Sequence, residues 1–314
     1  MREICYVSSL DLRQNKLKNE GIKVLAKALK TTNSLVHLDL RSTAFSKEGA
    51  DSLFEALICN QSLTCLRIGC IKGMNRNFLN GRALEGIQPF LKNTLHLTFL
   101  DLKGAGIGNE SFKYLAEGLK KCKSLCIVDL SLNNLDYNSS IPIIEVIAMS
   151  IIKHIDLSQN PLGNSFILEM DKRMPMKRFS LTHLNFSFCD FSYPYLYQLF
   201  NTLKKLPFLE ELETRGAIYK EQDLRAASWF LTSTSKVKKF CTAYSNIGDN
   251  GLKCFVDGFV PAYVLQELDF SNNKITNLGA SLLAEKMLHV NLKRLRTLNL
   301  SQNSIEVVFI YRVG

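Results

Sequence analysis

The feature that most constrains this chain is a spacing that recurs along almost its whole length. In residues 265–275, LQELDFSNNKI, apolar side chains stand at Leu265, Leu268, Phe270 and Ile275, with Asn273 between the last two. That spacing is neither helical nor plainly alternating. Its first apolar position returns at Val7, Leu35, Leu63, Leu97, Leu125, Ile152, Leu181, Leu209, Val237, Leu265 and Leu295, at intervals of 27 to 30 residues apart from one of 34. Repetition at such a period marks a solenoid: one short unit cannot bury its own apolar stripe, whereas stacked units form a continuous core.

The second half of each unit repeats as well. About fifteen residues after the first apolar position a set begins at i, i+3, i+4, i+7, as in Ala50, Leu53, Phe54, Leu57 and in Phe112, Leu115, Ala116, Leu119. This is one face of a helix. Each unit therefore reads as a short strand, a turn and a helix. Asn273 turns the chain, its amide bonding backbone groups that burial would otherwise leave unpaired. The same place holds Asn15, Asn133, Asn160 and Asn303, or Cys189, but Thr43, Ile71, Ala105, Ala217 and Ser245 elsewhere. Those five turns are expected to be looser. Leu265, Leu268, Phe270 and Ile275 are expected to meet Ala280, Leu283, Ala284 and Met287 of the following helix.

The pattern LxxLxLxxN followed by an amphipathic helix, seen in VHLDLRSTAF, SLCIVDLSLNNL and RTLNLSQNSI, resembles the leucine-rich repeats of the ribonuclease-inhibitor type. The resemblance covers nearly the entire chain. It implies an α/β solenoid, a horseshoe of about eleven strand–turn–helix units. A parallel sheet would line the concave side and helices the convex side, in a single domain over residues 1–314. Fold does not by itself name function. The resemblance implies a non-enzymatic protein–protein interaction scaffold, one subunit of a larger intracellular assembly. Two alternatives share the repeat type: a GTPase activator resembling the Ran GTPase-activating protein, and an inhibitor resembling ribonuclease inhibitor, which would meet a basic enzyme.

Asp269 lies on the strand between two inward residues, so its side chain is expected on the open face of the sheet. The matching positions read Asp11, Asp39, Arg67, Asp101, Asp129, Asp156, Asn185, Glu213, Cys241, Asp269 and Asn299, an acidic ladder. The chain carries a net charge of +10. The outward strand positions hold nine acidic and six basic residues, so the positive excess belongs to helices and loops, in runs such as EGLKKCK and DKRMPMKR. Those runs are dispersed, which describes a solvated outer face rather than a nucleic-acid groove.

The outward positions of units three to five are less polar. Phe99 and Ile127 hold equivalent places in adjacent strands, with Arg67, Asp101, Lys103, Asp129, Leu132 and Asp156 around them. Exposed apolar residues beside Arg are the makings of an interface hot spot, so these eight residues are the expected partner-binding surface. Phe188 and Tyr244 read as isolated aromatics further on. The long third unit carries its six extra residues within IKGMNRNFLNGR, a loop expected to protrude beside the patch. The C-terminal stretch Val307, Val308, Phe309, Ile310 and Tyr311 is expected to be a second contact edge, with Val307, Phe309 and Tyr311 meeting a partner. The terminal strands show no polar cap, so the chain is expected to be part of a longer architecture or to have its ends covered by partners.

Cofactors and a small-molecule substrate are not expected. There is no GK[ST] phosphate loop, no GxSxG and no HExxH. His154 and His183 share one strand position in adjacent units, without an obvious third ligand for a metal. Nine scattered cysteines without a CxxC pair point to reduced thiols and a cytoplasmic setting, with cytoskeletal or nuclear association also open. The longest apolar runs, such as VVFIY, are far short of a membrane span. Trp229, in RAASWFL, is expected to pack.

Overall fold

The computed structural model describes residues 7–174, 180–233, 236–258, 264–290 and 294–306. Strands and helices alternate as the sequence predicts. Strands β1 (Ser9–Asp11), β2 (His37–Asp39), β3 (Cys65–Arg67), β4 (Phe99–Asp101), β5 (Ile127–Asp129), β6 (His154–Asp156) and β7 (His183–Asn185) alternate with helices α1 (Lys18–Leu29), α2 (Lys47–Ile58), α3 (Ile87–Asn93), α4 (Gly108–Lys121), α5 (Ser140–Met149) and α6 (Gly163–Arg173). Then α7 (Leu196–Leu203), α8 (Glu221–Ser233), α9 (Gly248–Asp257) and α10 (Asn277–Val290) alternate with β8 (Glu211–Glu213), β9 (Lys239–Cys241), β10 (Glu267–Asp269) and β11 (Thr297–Asn299). Every strand begins two residues after the repeat's first apolar position.

The chain divides into two compact units. The first runs to Leu162 and takes in β7 as far as Leu184; the second takes α6 and everything from Asn185 onward. In the first unit β1 to β6 pair in parallel, in sequence order. Leu38, Leu66, Leu100, Val128 and Ile155 occupy the middle of successive strands and are buried, as are Leu53, Phe54, Phe90, Phe112 and Leu115 on the helices. Each such side chain contributes about 1.5–3 kcal/mol relative to exposure. In the second unit β8 to β11 pair in the same way. There phenylalanine often replaces leucine, and the rings interlock: Phe255 meets Phe270 edge-on at 5.0 Å, and Phe186 meets Phe191 at 5.4 Å. Of the expected core residues on α10, Leu283 is buried, Ala280 and Met287 are half-buried and Ala284 is exposed.

The turns differ from expectation. Asn133 Nδ2 donates to the Leu102 carbonyl of the preceding unit at 2.8 Å and to its own Leu130 carbonyl at 3.0 Å, while its Oδ1 accepts from Ile107 N at 3.3 Å. Asn273 likewise donates to Thr242 O and accepts from Ser245 N, both at 2.9 Å. One asparagine thus holds its own turn and that of the unit before, so the units with Ala105 and Ser245 are not left unbonded. At Ala217 a buried hydrogen bond between Thr214 Oγ1 and the Tyr219 hydroxyl, at 2.6 Å, spans the turn. The remaining two cases, Thr43 and Ile71, have one answer. Asn77, fully buried, donates to Leu40 O and Ile68 O at 2.9 Å and accepts from Thr43 N at 3.0 Å. Residues 71–76 are therefore the insertion, and the repeat resumes at Asn77. Lys72 to Arg76 are exposed, as a protruding loop requires.

Candidate functional site

The acidic ladder has a structural reason that the sequence reading missed. Oδ1 of Asp39 accepts from Arg41 N at 3.0 Å, Asp101 from Lys103 N at 3.0 Å, Asp129 from Ser131 N at 2.9 Å, Asp156 from Ser158 N at 2.8 Å and Asp269 from Ser271 N at 2.9 Å. Asn185 and Asn299 make the same bond. A short side chain accepting from the amide two residues on is an Asx turn, and it ends the strand. The ladder is first a turn device. Its members retain only part of their hydrogen-bonding capacity for anything else.

Within the first unit, the predicted binding residues converge. Phe99 lies directly across from Ile127, Cys65 from Phe99, and Arg67 from Asp101 in the strand register. Phe99, Ile127, Arg67, Asp129 and Asp156 are half-buried and Lys103 is exposed. Leu132 is 41% exposed at a φ of +59°. Such a conformation costs a branched residue about 1–2 kcal/mol, and here it turns an apolar side chain outward.

Asp101 departs from expectation. It is buried rather than solvated, and burial, helped by the negative charge of Asp129, lifts its carboxyl above the ordinary value despite Arg41 and Arg67 nearby. Gly69 makes the burial possible. A methyl group there would sit 2.6 Å from Asp101 Oδ1 and 2.7 Å from the Lys103 carbonyl.

Arg41, absent from the predicted set, holds the other end of the cluster. Its Nη2 meets Asp39 Oδ2 at 2.6 Å and its Nε meets Oδ1 at 3.0 Å, a bidentate pair. Its Nη1 lies 3.8 Å from Asp101 Oδ2. Burial works to raise the Asp39 carboxyl, but the hydrogen bonds and charge of Arg41, with the charge of Arg67, hold it below the ordinary range. Its signal was available: Arg41 stands two residues after an Asp, as Arg13 stands after Asp11.

Arg67 is different. Its guanidinium carbon lies 5.2 Å from the centre of the Phe99 ring, a cation–π arrangement. Its Nε is buried without a hydrogen-bond partner, and no ion pair to a carboxylate reaches it among the described residues. A shallow groove of about 250 Å³ runs from Ser9 and Asp11 past His37 and Asp39 to Cys65 and Arg67.

The strand face of the second unit is more fully neutralised. Arg215 Nε approaches Glu213 at 3.2 Å, and Lys239 Nζ lies 3.3 Å from Glu213 and 3.6 Å from Glu211. Phe188 and Tyr244, expected to stand apart, are neighbours at 6.1 Å between ring centres, and both are exposed. In the first unit His154 and His183 stack at 3.6 Å. Among the described residues no group of three potential ligands is placed to hold a metal, and no helix is long and apolar enough to cross a membrane. Val307, Phe309 and Tyr311 lie outside the described residues.

A strand–turn–helix solenoid with an asparagine ladder and an open strand face defines a class of repeat protein, and comparison with known proteins agrees. A family model described as "Leucine Rich repeats (2 copies)" matches residues 264–308, and one described as "Leucine Rich repeat" matches residues 4–26, 32–54 and 95–116. NACHT, LRR and PYD domains-containing protein 12 of Mus musculus is 24% identical over 304 residues, 92% of this chain and 27% of that protein. NACHT, LRR and PYD domains-containing protein 4E of Mus musculus is 28% identical over 141 residues, 44% of this chain and 14% of that protein. The chain thus spans only 14% to 27% of the length of these relatives. Among solved structures, the leucine-rich repeat-containing protein LegL7 of Legionella pneumophila superposes with a TM-score of 0.51 at 18% identity, covering 92% of this chain and 93% of that one. An internalin of Listeria monocytogenes does so with a TM-score of 0.50 at 15% identity, over 96% and 83%. The chain is a leucine-rich repeat protein. Domains of this kind generally act in protein–protein interaction, through the extended surfaces their stacked repeats present.

Proposed function

We propose that this chain is a non-enzymatic protein-binding scaffold, and that it binds a protein partner through the strand face of β2 to β6. The observation that carries the reading is Arg67. A half-buried guanidinium stacked on an aromatic ring, with no ion pair among the described residues, leaves the outer edge of its fork to a carboxylate or carbonyl supplied from outside. Phe99, Ile127 and Leu132 provide the apolar contact beside it, and Lys103, Asp129 and Asp156 form a charged rim. Aromatic and Arg residues at the centre of a polar rim are where binding energy concentrates.

Further support comes from the relatives, whose names join a leucine-rich repeat region to NACHT and PYD domains. The reading takes from them only the presence of a leucine-rich repeat region within a longer multidomain protein. It places the chain in the cytoplasm, as one subunit of an assembly. It is tested by capturing partners from lysate on the intact chain and on the Phe99→Ala/Ile127→Ser variant, with quantitative mass spectrometry. The expected result is a set of proteins retained by the parent and lost by the variant, which stays folded by circular dichroism. Identical sets would move the interface off this face.

A further inference from the structure

Trp229 was expected to pack, yet it is 55% exposed on the outer side of α8. It lines a groove of about 480 Å³ between α7 and α8 with Tyr197, Gln222, Arg225 and Ala226. Tyr197 is 47% exposed. Lys204, at the end of α7, places its Nζ 3.4 Å from the centre of the Trp229 ring. Lys204 Nζ also donates to the neutral Asn201 side chain, at 3.2 Å, and burial lowers its pKa. Arg225 is exposed. Among the described residues neither cation has an ion pair, whereas the adjacent Lys205 reaches Asp171 at 3.6 Å.

From this arrangement we infer that the groove between α7 and α8 is a second binding site, and that its occupant is a short acidic peptide segment carrying an apolar anchor residue. The argument is one of complementarity. Two exposed rings offer the apolar floor, and two cations that make no ion pair among the described residues stand beside it, so a carboxylate arriving there gains attraction without displacing a paired partner. Lys204 covers one face of the indole, leaving its edge and other face to the anchor. From Gln222 to Trp229 the helix advances about 10 Å, the reach of about three extended residues. Glu221, just before Gln222, sets a negative boundary at one end. A nucleic-acid strand needs a longer track of cations, and its phosphates would meet that carboxylate. This site is independent of the strand-face reading, since none of its residues belongs to that face.

Trp229 is the only tryptophan in the chain, so its emission reports on the groove alone. The probe is a fluorescein-labelled peptide of acidic residues around one phenylalanine, with a control in which lysine replaces the acids. Anisotropy and Trp229 emission are followed in parallel on the intact chain. The expected result is saturable binding of the acidic peptide, a shift of Trp229 emission at the same midpoint, and weakening with added salt. Lys204→Ala and Arg225→Ala should each weaken binding about fivefold, while Phe99→Ala leaves it unchanged. Absence of saturation, equal binding of the lysine control, or indifference to both substitutions would overturn the assignment. Tighter binding of a single-stranded oligothymidine than of the peptide would also overturn it, by giving the groove to nucleic acid.

Discussion

Asn77 donates from Nδ2 to the Leu40 carbonyl at 2.9 Å, reaching from the third repeat into the second. It is the ladder asparagine of a unit whose own turn position reads Ile71, displaced by six inserted residues. Replacing it with Ala leaves the buried Ile68 carbonyl without a donor and Thr43 N without an acceptor, and leaves the Leu40 carbonyl to Thr43 Oγ1 alone. Asn77→Ala should therefore destabilise the protein by about 2–4 kcal/mol, read from urea denaturation. Asn75→Ala, on the exposed loop, should change stability little. Deleting residues 71–76 should leave a folded protein, because the deletion restores the ordinary repeat length.

Gly69 and Asp101 make a second close approach. Gly69→Ala would press a methyl group against Asp101 Oδ1 and the Lys103 backbone. The backbone cannot yield as a flexible side chain would, so a loss of about 1–3 kcal/mol is expected. Gly86→Ala is the control, since there the nearest atoms lie 3.8 Å away. Equal effects at both positions would show that the strand turn tolerates what its geometry forbids.

Asp39 and Asp101 should respond to pH with opposite signs. The Asp39 carboxyl is held below its ordinary value of 3.8. Its ionised form therefore contributes stability above pH 3.8, and that contribution is lost as pH falls through the folded-state value. Asp39→Asn should destabilise at pH 7, and the difference should close under acid. The Asp101 carboxyl is raised above 3.8. Its contribution is full below pH 3.8 and lost as pH rises through the folded-state value. Asp101→Asn keeps an oxygen for Lys103 N and should gain stability relative to the parent at pH 7, with the gain vanishing near pH 3. Urea midpoints across this range check both.

Burial pushes the Cys241 thiol up to about 12, so it holds almost no thiolate near neutrality. Cys59 is exposed. Brief treatment with iodoacetamide at pH 8 should alkylate Cys59 and spare Cys241 until the protein unfolds. Peptide mapping by mass spectrometry reads both sites. Early modification of Cys241 would contradict the packing around β9.

The strand face was legible in part. Phe99, Ile127 and Leu132 were found because alternation along a strand fixes which residues point outward, and equal repeat positions fix which are neighbours. Arg41 was missed because a bidentate pair depends on rotamers, and Asp101 was misjudged because its burial depends on Gly69, just past the end of the preceding strand. Trp229 was misread because helical spacing alone does not say how far α7, only eight residues long, extends beside α8.

By itself the sequence determined the repeat, its period, the starting point of all eleven strands and the inward leucines. These follow from local spacing, which stacking of similar repeats turns into a continuous core within each compact unit. Tertiary structure decided which turns are secure, which carboxylates are solvated and which cations lack partners. Each of those depends on side chains roughly 28 residues away in sequence and about 5 Å away across parallel strands. The pairing of Asn77 with Leu40 is of this kind: the residue was visible in the sequence, but its carbonyl partner was chosen only when the third unit stacked on the second.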